Sequence, residues 1–188
     1  LDALERSEHA IDFGCQVPHG AVRAYVMGDR GADNEEANAE DIAAMYRIVK
    51  EALEAGALGF STSRTLLHKS IDGVPVPGTF ATRDELFGIG RALGDVKAGV
   101  FQLAAEHLQV PKELTWMREL SDEIDRPVLF NMSQTDFAPQ LWRKLVPQLE
   151  AAAAAGSQVY GQVAGRAIGV LMGWETTANP FVGYPTFK

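Results

Sequence analysis

Residues Glu51 to Leu86 read EALEAGALGFSTSRTLLHKSIDGVPVPGTFATRDEL. The stretch divides into a helix end, a short buried strand over Ala57 to Thr62, a long polar loop and the start of a second helix. Gly56 sits where a helix stops in the left-handed conformation. Thr82 and Glu85 have the spacing of a capping box, in which the threonine caps the helix and the glutamate reaches back. The loop places Ser61, Thr62, Ser63, Arg64, His68, Lys69 and Asp72 just after one strand end. In parallel α/β proteins that end carries the ligand site, because the loops converge there.

The same alternation extends in both directions. Upstream, Glu40 to Ala55 predicts a helix, with Ile42, Met45, Tyr46, Val49, Ala52 and Leu53 on one face. Glu40 and Asp41 in its first turn suit the helix dipole. Leu1 to Glu8 reads as a helix tail and Ala10 to Val17 as a strand ending at Pro18-His19-Gly20. Ala21 to Met27 reads as extended, and Gly28 to Asn38 as a polar loop. Downstream, Leu86, Ile89 and Leu93 form a buried stripe. Val100 to Ala104 predicts a strand. Pro111 opens a helix where its missing N–H costs nothing, with Leu114, Met117, Leu120 and Ile124 inward. Val128 to Met132 is a strand. Pro139 to Ala155 is a helix bent or restarted at Pro147, with Asp136 as a cap before it. Ser157 to Val163 is the last clear strand, and Ala167 to Trp174 reads as helical.

Strands separated by helices of this length imply βαβ units and a parallel sheet. The fold class is therefore α/β, with parallel βα repeats forming a partial TIM-type (β/α) barrel. Five strands are about half of such a barrel. Residues 1–188 read as one α/β segment, about the middle half of the barrel, truncated at both ends. Phe101, Val128, Phe130 and Val159 are expected to line the barrel interior, and an open half-barrel is expected to dimerise.

Composition narrows the function classes. The chain has 188 residues, 46% hydrophobic and 22% charged, which suits a folded domain and argues against disorder. A net charge of −8, with no basic run, disfavours a nucleic-acid partner. No apolar run reaches the ~20 residues of a membrane-spanning helix. The single cysteine, Cys15, forms no internal disulfide; it reads as a buried thiol and fits a reducing cytoplasm. No GxGxxG follows a strand and no GxxxxGK[ST] occurs, so the nucleotide-binding readings lose their usual support.

Four histidines are present, none in HxH, HExxH or a Cys/His cluster, so no local metal motif exists. His9 reads as a surface or capping residue. His19 follows a strand directly, and is either an active-face residue or a loop histidine bonded to backbone. His68 is the candidate catalytic residue, since an imidazole can donate or accept a proton near neutrality. Arg64 could hold a substrate carboxylate through a two-pronged contact; the alternative for both is a solvated loop. Either of Glu106 and His107 could face the pocket, but the pair reads first as a surface turn. Gln134 follows a strand and could orient a substrate amide. Arg166 could bind an anion or pair with an acidic neighbour. The three tryptophans read as packing.

Three segments carry a resemblance. Residues 1–28, LDALERSEHAIDFGCQVPHGAVRAYVMG, are similar to a strand with a GHG-type turn, an LR pair and a VMG-like ending. EALEAGALGFSTS is similar to a helix–strand step written GAxGxST, and residues 162–181, QVAGRAIGVLMGWETTANPF, to a later segment. All three resemble the amidohydrolase superfamily, in particular the N-acyl-D-amino-acid deacylase (D-aminoacylase) group. The resemblance implies a TIM-type barrel, a divalent metal, usually zinc, and hydrolysis of an amide bond of a small N-acyl compound. The expected partner is a small-molecule substrate, with no nucleic acid and no membrane.

Carried over residue by residue, the resemblance gives little. The group's HxH pair and metal-binding cysteine would precede Leu1, and its catalytic aspartate would follow Lys188. Of two further metal histidines, one falls at Ala104 in GVFQLAAEH and the other at Ser133 or Gln134 in FNMSQTD. No metal ligand is assigned within the chain. Zinc is expected of a full-length protein and not of this segment. Alternatives are a non-catalytic small-molecule binding protein on the same barrel and an inactive scaffold.

Overall fold

The computed structural model describes residues 6–169, 171–174, 179–181 and 184–187. Strand β1 (Val17–Pro18) leads into helix α1 (His19–Met27) and the single turn α2 (Asp29–Ala32). Helix α3 (Ala39–Glu54), β2 (Gly59–Ser63), α4 (Arg83–Val96) and β3 (Val100–Ala104) follow. Helix α5 (Val110–Ile124), β4 (Val128–Asn131), α6 (Trp142–Ala154) and β5 (Val159–Gln162) complete the repeats. The five strands form one parallel sheet in chain order, β1-β2-β3-β4-β5. Sequential parallel strands with helical crossovers are a sector of a (β/α) barrel.

Local chemistry accounts for the helix boundaries. Asn38 caps α3 through Asp41 N–H at 2.8 Å, and Asp41 returns the bond to Asn38 N–H at 3.1 Å. Met45, Val49 and Leu53 point that helix into the core. Thr82 caps α4 through Glu85 N–H. The expected box is only half formed, because the Glu85 carboxylate leaves the cap for His19 and Arg23. Helix α5 opens around Pro111 as expected and buries Leu114, Met117, Leu120 and Ile124. Helix α6 runs through Pro147 as one element, and its first residues take no side-chain cap, so Asp136 does not serve as one.

The sheet's two faces differ. Phe60, Phe101, Leu103, Val128, Phe130 and Val159 are buried among helix residues. Phe101 packs edge-on to Trp116 of α5, with ring centroids 6.4 Å apart, and a side chain on Gly90 of α4 would touch it. The four strand residues expected to line the barrel interior thus face the helical layer, which needs large apolar side chains. Strand alternation puts Ser61, Gln102, Leu129 and Tyr160 on the other face, in one register layer.

Further expectations are corrected. Ala21 to Met27 is helical, because His19, Val22, Arg23 and Met27 form its buried stripe at 3- and 4-residue spacing. Ala10 to Val17 pairs only through Val17 and Pro18, opposite Phe60 and Ser61, and Cys15 before it is exposed. Gly28 to Asn38 contains the turn α2. Ala167 to Trp174 has no helix among its described residues, and of the expected helix tail Leu1 to Glu8 residues 6–8 are not helical, while residues 1–5 lie outside the described residues. No helix among the described residues is long and apolar enough to cross a membrane.

Candidate functional site

A cleft of about 350 Å³ opens where β1 gives way to α1 and where β2 and β3 end. Pro18, Gly20, Ser61, Ser63, His68 and Gln102 line it, and Ala104 closes one side. A second cavity of about 360 Å³ is lined by residues of α5 and α6 alone, such as Arg118 and Gln148. The first is the candidate site, because it lies at the strand ends where side chains from separate repeats meet.

The loop between β2 and α4 supplies His68, and the fold holds this loop at several points. Glu106 Oε2, after β3, accepts from Thr65 Oγ1 and Leu66 N–H, both at 3.1 Å. Asn34 takes the Gly78 N–H at 2.9 Å and donates to Pro75 C=O at 3.0 Å. Val76 N–H donates to His68 C=O at 3.1 Å, and Lys69 bridges Pro75. His68 is exposed, and its Nδ1 lies 2.8 Å from Ser63 Oγ.

Arg64 is placed differently from His68. Its guanidinium donates to Ala81 C=O at 2.8 Å and lies 3.5 Å from Glu113 on α5. It does not line the cleft, and it ties the start of the loop to its end. Burial pushes the Glu113 carboxyl above its ordinary value, against the opposing pull of Arg64.

His19 lines the cleft wall but is 1% exposed. Its Nε2 lies 2.9 Å from Glu85 Oε1 and its Nδ1 lies 2.8 Å from Thr62 Oγ1. Arg23 Nε donates to the same Glu85 oxygen at 2.7 Å. Burial raises the Glu85 pKa, but the His19 bond and the His19 and Arg23 charges outweigh it and hold the carboxyl below its ordinary value. Gly78 packs on this ring so closely that a Cβ would lie 2.6 Å from His19 Nδ1. The network joins α1, β2 and α4 beneath the cleft. Sequence reasoning assigned Thr82–Glu85 to a cap, which hid the partner that His19 and Arg23 share.

Gln134 and Arg166 lie in the segments after β4 and β5. Gln134 donates to Pro139 C=O at 3.3 Å and Arg166 to Ala167 C=O at 2.9 Å; both are exposed. His107 Nε2 lies 2.7 Å from Ser133 C=O, so it links the ends of β3 and β4. Only His19 and His68 of the five candidates line the cleft.

The amidohydrolase family model (Amidohydro_3) matches residues 1–182. A D-aminoacylase of Alcaligenes xylosoxydans xylosoxydans is 32% identical over 163 residues, covering 82% of this chain and 30% of that protein. A D-aminoacylase structure concerned with the functional role of its binuclear metal centre has a TM-score of 0.70 and 27% identity, covering 85% of this chain and 31% of that one. A second D-aminoacylase structure, described as defining a novel subset of amidohydrolases, has a TM-score of 0.70 and 26% identity over the same shares. The chain thus spans about a third of the length of the relatives it matches.

The described residues do not fit a metal centre of that kind. They contain no group of three or more His, Cys, Asp or Glu side chains that could hold an ion. Strand β3 ends in Ala104, which has no donor, and Ser133 and Gln134 follow β4. Within these limits the fold and the matched sequence agree, and the chain belongs to the amidohydrolase family.

Proposed function

We propose that the protein is a hydrolase of the D-aminoacylase kind that cleaves the amide bond of a small N-acyl compound in the strand-end cleft. The observation that supports it most is the Ser63–His68 pair, held at 2.8 Å on a clamped loop at the C-terminal end of β2 in a chain of this family. His68 exchanges a proton with the reacting amide. Gln102 offers an amide to the substrate carbonyl, and His19 sets the cleft wall. Arg64 fixes the loop. Gln134 and Arg166 are proposed as outer contacts for polar ends of the substrate. Zinc or another divalent ion remains part of the proposal for the whole protein, but the described residues supply no ligand set for it, and no step is derived through it. A cytoplasmic location suits the lone cysteine.

The second reading is a non-catalytic small-molecule binding protein, and Ala104 at the end of β3 favours it. An inactive scaffold is the third reading. Amine release from a panel of N-acetyl amino acids of both hands separates them. The intact protein should hydrolyse at least one, and His68→Ala should lower kcat/KM by about a hundredfold with little change in Tm. Binding without turnover in the wild type would favour the second reading. Turnover that is unchanged in His68→Ala would remove His68 from the site.

A further inference from the structure

The loop between β2 and α4 forms a short hairpin finger beside the cleft. Val76 N–H donates to His68 C=O at 3.1 Å, and Ser70 N–H donates to Val74 C=O at 2.8 Å. Between these bonds Lys69 bridges Pro75 in antiparallel fashion. The pattern sets His68 opposite Val76 and Ser70 opposite Val74. Side chains alternate across a strand, so these two pairs share one face, and Lys69 and Pro75 take the other. Gly73, with φ of 79°, closes the tip. Ser70 Oγ accepts there from the N–H groups of Asp72 and Val74, at 3.2 and 3.3 Å.

His68 and Val76 both line the cleft, so the face that carries them is turned towards the ligand. Val74 follows on that face one pair further out, about 7 Å along the finger. It is 48% exposed, so its side chain is open to a ligand. The Ser70 hydroxyl opposite it is held in the tip by its two bonds, and Val74 supplies the apolar surface of this second pair. The finger is also fixed at its base. Glu106 holds Thr65 and Leu66 at its entry, and Arg64 donates to Ala81 C=O beyond its exit. Asn34 grips it from the side through Pro75 and Gly78. A wall fixed in this way is formed before the ligand arrives, and binding costs little further ordering.

We propose that Val76 and Val74 form an apolar shelf for the acyl chain of the substrate, so that the cleft selects N-acyl compounds with a chain of about six carbons. The inference rests on the hydrolase reading and narrows its substrate class. Length decides the occupant. With the reacting amide beside His68, a chain attached to it runs outward past Val76 to Val74. An extended chain advances about 1.2 Å per atom, so a shelf of about 7 Å takes up about six carbons. The aliphatic side chains of amino acids fall short of that, whereas a medium-length fatty acyl group spans it. Burial of each methylene favours binding by up to about fourfold. The shelf is open on one side, so the four methylenes that separate a hexanoyl from an acetyl group should together contribute about tenfold. Val74 and Val76 thus determine specificity, and His68 keeps its place at the reacting amide.

The test uses the intact protein and the N-acetyl, N-butanoyl and N-hexanoyl derivatives of one amino acid that it hydrolyses, or of methionine of either hand if it hydrolyses none. The expected result is a rise in kcat/KM of about tenfold from acetyl to hexanoyl, chiefly through KM. Val74→Asn changes an exposed position, and Val76→Thr keeps the branched shape of the side chain. Each should flatten the series with little change in Tm. A flat series in the wild type would overturn the inference, and so would an unchanged slope in both variants. A rise from N-acetylalanine to N-acetylnorleucine in place of the acyl dependence would give the shelf to the other end of the substrate and overturn it too. If no N-acyl compound is turned over, the hydrolase reading falls by itself, and calorimetry with the same three compounds decides the shelf. Hexanoyl binding about tenfold tighter than acetyl, with the difference lost in Val74→Asn, would support it. Equal binding of the three, or none, would overturn it.

Discussion

At the scale of the residue, Glu85 is the carboxylate that ties α4 to α1 beneath the cleft. It is fully buried, it takes bonds from His19 and Arg23 on α1, and its second oxygen has no partner. Removing one partner of a buried charge pair typically costs about 3–5 kcal/mol, because the other charge stays buried. Glu85→Gln is therefore expected to lower stability by roughly that amount at neutral pH. Its pH dependence follows from the depressed carboxyl. A glutamate whose folded pKa lies below its unfolded value stabilises the fold above the unfolded pKa, and the contribution is lost as pH falls through the folded one. The difference in Tm between wild type and Glu85→Gln should thus be full at neutral pH and shrink below the ordinary glutamate range. A difference that stays constant down to strong acid would mean that packing, and not charge, holds the site.

The same residue shows where a single sequence runs out. His19 and His68 were legible as strand-end histidines because their positions follow from the βα alternation. The Ser63 partner of His68 was visible only as one of several hydroxyls, since a five-residue separation on a loop says nothing of reach. The Glu85 partner of His19 lies 66 positions away and sits in a pattern with a complete local explanation, the capping box. Arg64 was legible as a loop cation, but its acceptors Ala81 and Glu113 come from elements that only the fold brings near.

At the scale of the element, the best-read pieces are those whose local rules agree. Strand β3 matches its expected bounds, α3 matches its own within a residue, and α5 opens one residue before the expected Pro111, since local signals point the same way in each. Helix α1 was missed because half of its buried stripe is His19 and Arg23, which count as polar until their shared carboxylate is known. Strand β2 depends on a feature that the sequence shows only as one letter. Gly59 has φ of 151° and lies against the backbone of β3, where a Cβ would collide with the Val100 carbonyl oxygen. Strain of that kind costs about 1–3 kcal/mol, and the collision adds to it. Gly59→Ala should weaken the β2–β3 ladder, so that Tm falls. A Gly59→Ala protein with wild-type melting would show that β2 can shift at no cost.

At the scale of the whole molecule, the asymmetry of the sheet decides what the chain does alone. Its helix-facing side is closed by a continuous apolar core from Val22 to Val159. The other side presents Ser61, Gln102, Leu129 and Tyr160 in one layer, and Tyr160 is 52% exposed. Among the described residues β1 and β5 are the sheet's two ends, each with one unpaired edge. Unpaired strand edges invite pairing with another chain. The expectation of a dimer survives the reassignment of the two faces, but its driving force changes. The uncovered face is partly polar, so edge pairing and the Leu129–Tyr160 strip must carry the association, and it should be weaker than a dimer built on four buried aromatic and aliphatic residues would be. This chain, expressed by itself, is expected to show a concentration-dependent monomer–dimer equilibrium by light scattering, most simply with twofold symmetry. Charged substitutions such as Tyr160→Lys on that strip should shift it towards monomer without lowering Tm. A compact monomer at every concentration would show that the open face and both edges are stable in water as they stand.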